Sequence, residues 1–260
     1  MNAVNFKDHF SKLASQYAAF RPQYPESLFD YLAGLCPEHK AAWDCACGSG
    51  QASIALAEHF EIVIATDASA KQIDAATLHP RVMYRVAPAE NSGLEPRSMD
   101  LVTVAQSLHW FDLERFYNEV DRVLKDNGVL AVWGYGVLSI GDPEINRIAL
   151  KLHNETLAPY WPAERKIVES GYRTLPFPLN EITPPPFELT ADWPLERLLG
   201  YFRSWSATGR YVEKHGADPV EPVSQELAKL WGDPQKARNI TWPLSLRVSR
   251  KTAVGGSASL

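Results

Sequence analysis

The chain has 260 residues, enough to bury a full hydrophobic core as a single domain, and 45% of them are hydrophobic, as in ordinary globular proteins. The net charge of −5 and the absence of a basic cluster argue against nucleic acid as a partner. No apolar run approaches the roughly 18 residues of a membrane helix and no charged-then-apolar leader opens the chain, so we expect no membrane partner.

The N-terminal segment has a helical pattern. Apolar side chains from Phe6 to Tyr17 share one face of a helix, and the Arg21–Pro25 segment then interrupts it. Pro25 can open a second helix that ends at Leu35, because proline is favoured in the first helical turn. We therefore expect two helices ahead of the main fold.

Short apolar runs then alternate with helical stretches, which is typical of an α/β protein. The five runs are Ala41–Ala46, Ile62–Thr66, Val82–Val86, Leu101–Ala105 and Val129–Trp133. Continuous apolar runs of this length indicate strands that are buried on both faces. The alternation predicts a doubly wound, mostly parallel sheet, in which ligands bind at the carboxyl ends of the strands.

Beyond the fourth run, the pattern predicts one bounded helix and then a change of composition. Asp112 is placed to cap this helix, and the Asn127-Gly128 pair is placed to end it. From Gly134 the chain is rich in proline and aromatic residues. Further helices are predicted near Pro143–Leu157, Ala163–Ser170, Pro194–Ser206 and Pro222–Leu230, and two last strands, Phe187–Thr190 and Ile240–Val248, complete a seven-stranded sheet.

These elements predict one domain over residues 1–252. Its parts are an N-terminal helical segment (1–35), the first half of the sheet (41–135), an inserted region with strand six (136–235) and the last strand (238–250). The small and polar residues 253–260 are predicted to be a disordered tail.

The turn after the first strand, from Asp44 to Gln51, is the most informative stretch of the chain. Gly48 and Gly50 predict a tight turn, which lets a ligand approach the backbone where a side chain would collide. The helix that begins at Gln51 offers free N–H groups to the polar end of a ligand. Asp67 closes the second strand, at the distance where an acid meets a ribose hydroxyl in nucleotide folds. An adenosine-containing cofactor is therefore expected.

Two cofactors compete for this pattern. A dinucleotide site has the pattern G-x-G-x-x-G, but Ser53 stands where its third glycine should be. An S-adenosylmethionine site resembles D-x-G-x-G-x-G, in which Asp44 supplies the acid and Ala46 replaces the first glycine. An acid beside the turn suits the cationic methionine end of S-adenosylmethionine and would repel a pyrophosphate. The motif alone favours S-adenosylmethionine, while a dinucleotide and a turn without a ligand both stay open.

The three cysteines indicate the cellular compartment. Cys36, Cys45 and Cys47 provide no disulfide framework and suit a reduced cytoplasm. A C-x-C pair without partner cysteines is a weak metal motif, so we expect buried thiols and no metal.

Several further segments together resemble one family. They are Phe10…Tyr17…Arg21-Pro22…Tyr24-Pro25, Asp44–Gly50, Asp67, Pro88-Ala89-Glu90, Asp100-Leu101-Val102, Gln106–Asp112 and Ser204-Trp205-Ser206. With these residues the chain resembles class I S-adenosylmethionine-dependent methyltransferases, in the small-molecule branch that includes the trans-aconitate methyltransferases (type 11-like). The resemblance covers nearly the whole chain, and the His-Trp-Phe-Asp run is more specific than the glycine turn. It implies an enzyme that uses S-adenosyl-L-methionine and releases S-adenosyl-L-homocysteine.

The resemblance also implies roles for individual residues. The turn would line the methionine and ribose of the cofactor, and Asp67 would accept hydrogen bonds from both ribose hydroxyls. Arg21, in an N-terminal lid, could pair with the methionine carboxylate. Ala46 in place of a glycine, and Pro88 where relatives often have aspartate, depart from the family pattern. The implied cofactor residues are Tyr17, Arg21, Asp44, Ala46, Gly48, Ser49, Gly50, Asp67, Ala89, Glu90 and Gln106, of which Ala89 and Glu90 would border the adenine and Gln106 would approach through its backbone.

The methyl acceptor is expected to be a small molecule, with an organic acid methylated on oxygen as the leading example. His109 follows the fourth strand and is the candidate general base, because its pKa range suits that role. We favour the simpler interpretation that His109 only shapes the pocket wall, since an ionised acid needs no base. The substrate candidates, each of which could instead be a surface arginine or a core aromatic residue, are Trp110, Tyr160, Trp161, Arg203, Trp205 and Arg210.

Two other classes of function stay open beside the methyltransferase. One is a nicotinamide-dependent oxidoreductase, and the other is a cofactor-binding protein without catalysis. A monomer or a homodimer fits the sequence equally well.

Overall fold

The structure is a computed structural model, and it describes residues 20–252. The first part of the predicted N-terminal lid, with Phe10 and Tyr17, and the predicted tail at 253–260 lie outside the described residues. The described chain forms two compact units. The sheet unit comprises Tyr24–Tyr135, Ile167–Phe187 and residues 244–252, and the aromatic unit comprises residues 20–23, Gly136–Lys166 and Glu188–Pro243.

Five parallel strands form the body of the sheet unit. They are β1 (Ala41–Cys45), β2 (Ile62–Asp67), β3 (Val82–Val86), β4 (Met99–Ala105) and β5 (Leu124–Tyr135). Their order is β3-β2-β1-β4-β5, so the direction of chain progression reverses between β1 and β4. The second half of β9 (Arg238–Arg250) runs antiparallel to β5, and β7 (Asn180–Ile182) pairs with the last residues of β9. The predicted doubly wound, mostly parallel sheet is confirmed, with an antiparallel end, and two further short strands bring the predicted seven to nine in the described part of the chain.

Helices cover both faces of this sheet. They are α1 (Glu26–Leu35), α2 (Gln51–Leu56), α3 (Ala70–Asp74) and α4 (Leu113–Val123). On one face Phe116 and Val120 of α4 are fully buried in a core that includes Trp43. On the other face Phe29 of α1 packs on Trp133, with their ring centroids 6.2 Å apart. Successive strand residues point to alternate faces, so strands covered on both sides must be apolar throughout, as the sequence is.

The boundaries of α4 confirm one prediction and correct another. The Asp112 carboxylate accepts the N–H of Arg115 at 3.3 Å and caps the helix as predicted. The predicted helix end at Asn127-Gly128 is wrong, because α4 ends at Val123 and passes directly into β5. Asn127 has a left-handed backbone, with φ of 65°, inside a strand whose register with β4 shifts nearby. An asparagine–glycine pair suits a β-bulge as well as a helix end, which is why the pattern misled.

Short helices and strand ends surround a cluster of large rings in the aromatic unit. Its helices are α5 (Pro143–Lys151), a π-helical turn (Leu152–Thr156), a 3₁₀ turn (Ala158–Tyr160), the start of α6 (Arg165–Glu169), α7 (Leu195–Arg203), α8 (Ser206–His215) and α9 (Val220–Trp231). Within this unit β6 (Ser139–Ile140) and most of β8 (Phe187–Trp193) pair with β9. Trp242 donates its indole N–H to the Tyr201 hydroxyl at 3.1 Å and packs on Trp193, with the ring centroids 5.0 Å apart. Aromatic packing of this kind stabilises the unit.

One predicted helix of the aromatic unit is in fact two. The predicted helix Pro194–Ser206 ends at Arg203, and α8 begins at Ser206 and continues to His215. Trp205 separates them because its backbone is extended, with ψ of 137°. Across residues 20–252, no helix is both long and apolar enough to cross a membrane.

Candidate cofactor and active site

The glycine turn leaves β1 at the carboxyl edge of the sheet. Ala46, Gly48 and Gly50 all have left-handed backbones, with φ of 55°, 56° and 90°. The Cys47 N–H donates to the carbonyl oxygen of Thr66 at 3.0 Å, which ties the turn to β2. Ala46, which stands where the family pattern has a glycine, thus has a backbone conformation that favours glycine and costs other residues about 1–2 kcal/mol. The fold tolerates this strain in order to hold the turn.

Asp67 at the end of β2 holds the turn from the other side. Its Oδ2 accepts the N–H of Gly48 at 2.9 Å, and its Oδ1 accepts the N–H of Ser69 at 2.8 Å. These two backbone donors fix the orientation of the Asp67 carboxylate beside the turn. The structure thus brings together the acid and the glycine turn that the sequence predicts at one site.

Asp44 lies beneath the turn and is fully buried. Its carboxylate accepts the Ser53 hydroxyl at 2.6 Å and the Thr103 hydroxyl at 3.0 Å. Burial raises the pKa of the Asp44 carboxyl to about 6, against these hydrogen bonds, which lower it. Ser53, which stands where a dinucleotide motif has its third glycine, therefore holds the Asp44 carboxylate. Its side chain takes up the space that a glycine there would leave open.

The end of β3 leads to the residues expected near the adenine. Ala89 is buried, and the Glu90 carboxylate accepts the N–H of Asp112 at 3.0 Å. This bond joins the segment after β3 to the first turn of α4. Glu90 thus has a structural partner, and the predicted contact of Ala89 and Glu90 with adenine stays a prediction.

Gln106 follows β4 with a strained backbone. Its φ is 61°, and its N–H donates to the carbonyl oxygen of Trp133 at 2.8 Å. A non-glycine residue in this conformation is uncommon and often marks a functional site. Gly134 lies beside its side chain, and a Cβ added there would be 3.4 Å from Gln106 Oε1. The predicted approach of the Gln106 backbone to the cofactor stays a prediction.

His109 and Trp110 lie in a 3₁₀ turn, Leu108–Trp110, just beyond Gln106. His109 Nδ1 is 3.4 Å from the hydroxyl of Tyr172, and the two rings stack with their centroids 6.0 Å apart. Tyr172 is fully buried and has a left-handed backbone, with φ of 59°. Sequence reasoning missed Tyr172, because 63 residues separate it from His109 and only the adjacent Gly171 indicates a turn.

Comparisons with known proteins identify the family. A family model described as a methyltransferase domain matches residues 43–132, from β1 into β5. A candidate methyltransferase of Dictyostelium discoideum is 32% identical over 255 residues, which cover 95% of this chain and 97% of that protein. A candidate S-adenosylmethionine-dependent methyltransferase of Saccharomyces cerevisiae is 30% identical over 131 residues, covering 47% of this chain and 45% of that protein. The chain belongs to the class I S-adenosylmethionine-dependent methyltransferases.

A solved structure of another methyltransferase is similar to this chain over nearly its whole length. It is that of a candidate type II methyltransferase from Anaeromyxobacter dehalogenans, with 46% sequence identity and a TM-score of 0.85. The match covers 90% of this chain and 100% of that chain. The likeness therefore includes the proline- and aromatic-rich region as well as the sheet.

The aromatic unit of the methyltransferase holds Arg21 and five of the predicted substrate residues. The Arg21 guanidinium donates to the Ser204 carbonyl at 3.3 Å. Arg203 Nε lies 2.7 Å from Asp218 Oδ2, and Glu221 is 3.6 Å from the same guanidinium. The positive charge of Arg203 is thus balanced by two carboxylates.

The other predicted substrate residues of this unit form two groups. Trp161 and Trp205 pack together, with ring centroids 5.6 Å apart, and Trp205 is only 4% exposed. Tyr160 is half-buried, and its carbonyl accepts the Arg210 guanidinium at 3.2 Å. Trp205 is therefore a core residue in this structure, whereas Tyr160 and Arg210 are partly exposed. Their contact with an acceptor stays a prediction.

Proposed function

We propose that this methyltransferase acts on a small molecule and transfers the methyl group to oxygen, with an organic acid as the acceptor. One observation carries the proposed site of methyl transfer. The turn at Gly48–Gly50 and the His109–Trp110 segment leave β1 and β4, which are adjacent strands of the sheet. A cofactor on the first segment therefore presents its reactive end to the second, at the point where doubly wound folds bind ligands.

Two features of the described geometry support S-adenosylmethionine at this turn. Asp67 lies at the end of β2 against the turn and would accept hydrogen bonds from the ribose hydroxyls. A Cβ added to the left-handed Gly48 would meet only Gln72 Oε1, at 3.9 Å, so the turn leaves room for the methionine end beside this glycine. Ala89 and Glu90 would border the adenine. S-adenosylmethionine has no pyrophosphate, so this arrangement requires no group to neutralise one.

Methyl transfer is an in-line displacement at carbon. The acceptor oxygen forms a bond to the methyl carbon while the bond from that carbon to sulfur breaks, and neutral S-adenosyl-L-homocysteine leaves. A carboxylate acceptor is already ionised at neutral pH, so alignment and exclusion of water supply most of the catalysis. A phenol or a protonated amine would need a base, and His109 is the candidate near the end of β4.

Ligand binding and turnover test this proposal directly. Calorimetry should show that the protein binds S-adenosyl-L-homocysteine and that NAD binds much more weakly or not at all. A screen of organic acids, phenols and amines with labelled S-adenosylmethionine should then identify the acceptor class. Tighter binding of NAD would indicate an oxidoreductase, and binding without product across the screen would indicate a cofactor-binding protein.

Variants of His109 separate the two kinds of acceptor once one is known. With a carboxylate acceptor, His109→Gln should lower turnover only modestly. With a phenol or an amine, the same change should lower turnover by about 10²–10⁴ and remove a rate dependence near pH 6–7. Equal loss with both acceptor types would mean that His109 only shapes the site.

Arg210 is the better candidate of the two arginines for holding an acceptor carboxylate. Within the described chain it makes no ion pair, whereas Arg203 faces Asp218 and Glu221. A guanidinium without a carboxylate partner can bind an anion bidentately. We expect Arg210→Ala to raise the KM for an anionic acceptor severalfold, with Arg203→Ala as the control. An equal or larger effect of Arg203→Ala would reverse this assignment.

We also propose a cytoplasmic enzyme that is a monomer or a homodimer. Cys36, Cys45 and Cys47 are all free thiols, which a reducing compartment preserves. Burial raises the pKa of the Cys36 thiol to about 12, so it stays protonated and unreactive at neutral pH. Light scattering would establish the oligomeric state.

A further inference from the structure

We propose that Tyr84 on β3 is a positioning residue for the cofactor turn, which keeps Ser49 and Gly50 in the shape that receives S-adenosylmethionine. The inference rests on the proposed cofactor site at this turn. Nothing in the sequence motif points to Tyr84, which lies two strands away from β1.

The Tyr84 hydroxyl lies directly against Gly50. A Cβ added to Gly50 would be 2.1 Å from Tyr84 Oη and 2.9 Å from its Cζ. Non-bonded heavy atoms do not approach a Cβ this closely, so the tyrosine ring occupies the space that any side chain at this position would need. The ring and the glycine therefore fit each other as a pair.

A strap of two hydrogen bonds ties Tyr84 to the residue before this glycine. The Tyr84 hydroxyl donates to the carbonyl oxygen of Thr77 at 2.8 Å. The N–H of Thr77 in turn donates to the carbonyl oxygen of Ser49 at 3.2 Å. The segment after α3 is thus held between β3 and the turn. Loss of the hydroxyl would release Thr77 and, through it, Ser49.

The electrostatic surroundings agree with this close packing. Burial raises the pKa of Tyr84 to about 12, and smaller contributions from Cys47 and Asp44 act in the same direction. The hydroxyl is therefore protonated at all physiological pH values and always available as a donor.

A simpler explanation is that Tyr84 only stabilises the edge of the sheet. Tyr117 on α4 offers a matched control for this explanation. Its hydroxyl also donates to a backbone carbonyl at 2.8 Å, that of Pro176, and burial likewise raises its pKa to about 12. Tyr117 belongs to the same unit, but its hydrogen bond lies away from the glycine turn. The two tyrosines therefore differ in what they hold.

The test compares Tyr84→Phe with Tyr117→Phe. We expect Tyr84→Phe to raise the Kd for S-adenosyl-L-homocysteine about three- to tenfold, the effect of one hydrogen bond, and Tyr117→Phe to leave it unchanged. Both variants should lower the Tm to a similar extent. In the protein without ligand, the Gly50 amide should exchange its hydrogen faster in Tyr84→Phe than in Tyr117→Phe. An unchanged Kd in Tyr84→Phe, or an equal rise in both variants, would overturn the inference.

A double-mutant cycle tests the contact itself. Gly50→Ala should weaken binding of S-adenosyl-L-homocysteine strongly in the parent, because of both the backbone strain and the tyrosine. In a Tyr84→Ala background the same change should cost a smaller factor, since only the strain remains. Equal factors would mean that the two residues do not touch. Failure of the parent to bind the ligand would overturn the cofactor site and this inference together, whereas an unchanged Tyr84→Phe overturns this inference alone.

Discussion

Replacing Asp67 by asparagine should be nearly as harmful to cofactor binding as replacing it by alanine. In the structure both carboxylate oxygens accept backbone N–H groups, those of Gly48 and Ser69. Asparagine has the same size but carries one NH₂ group in place of an oxygen. One of the two backbone donors would then face another donor. The turn must distort or rotate the amide, and either movement disturbs the ribose contacts as well.

The expected size follows from the bonds that are lost. A hydrogen bond to a charged group contributes about 1.5–3 kcal/mol, and the half-buried position of Asp67 favours the lower part of this range. The affinity for S-adenosyl-L-homocysteine should therefore fall about ten- to thirtyfold in Asp67→Asn. Calorimetry measures it, and Asp74→Asn on the exposed end of α3 is the matched control. Binding by Asp67→Asn within about threefold of the parent would refute the role assigned to this carboxylate.

Two further changes test the packing around the site. Asp112→Ala removes the cap at Arg115 and should lower the free energy of unfolding by about 1 kcal/mol in urea titrations; an unchanged midpoint would contradict the observed hydrogen bond. Gly134→Ala places a Cβ 3.1 Å from both Tyr172 and Val168, so it should destabilise the protein by about 1–3 kcal/mol, and a stability equal to the parent's would show that these side chains move freely.

The glycine turn could be predicted from the sequence because its signal is local. Gly48, Gly50 and the strand before them lie within ten residues, and Asp67 follows the next strand directly. The residues that support the turn could not be found in the same way. Tyr84 meets Gly50 only after β3 has taken its place beside β2, and Tyr172 meets His109 from the turn that follows α6. Such contacts depend on the packed fold, which a motif does not contain.

Substrate residues were harder to predict for a related reason. Tryptophan and arginine are the residue types that line pockets, but they also form cores and ion pairs. Trp205 is buried among aromatic neighbours, and Arg203 faces Asp218, a partner that sequence spacing did not suggest. The helix α8 was missed because the extended backbone of Trp205 interrupts one continuous helical pattern. Residue type alone therefore overestimates how many side chains are available to a substrate.

Asp44 should make the stability of the protein depend on pH between about 4 and 6. Its carboxyl is fully buried, and its pKa is raised to about 6, compared with about 3.9 in the unfolded chain. Between these values the folded protein keeps the proton while the unfolded chain loses it. This contribution to stability is therefore present at low pH and is lost as the pH rises through this window. A difference of about two pKa units corresponds to a loss of about 3 kcal/mol by pH 7.

Asparagine at position 44 isolates this effect from all other carboxyl groups. Asp44→Asn cannot ionise, yet its amide can still accept from one of Ser53 and Thr103 and donate to the other. The free energy of unfolding of the parent minus that of the variant, measured in urea from pH 4 to pH 7, should fall by about 2 kcal/mol, because the unfolded carboxyl is already partly ionised at pH 4. Contributions of other acids cancel in this difference. A difference that is constant across the range would mean that Asp44 ionises as freely in the folded protein as in water, and that the support beneath the cofactor turn is hydrated.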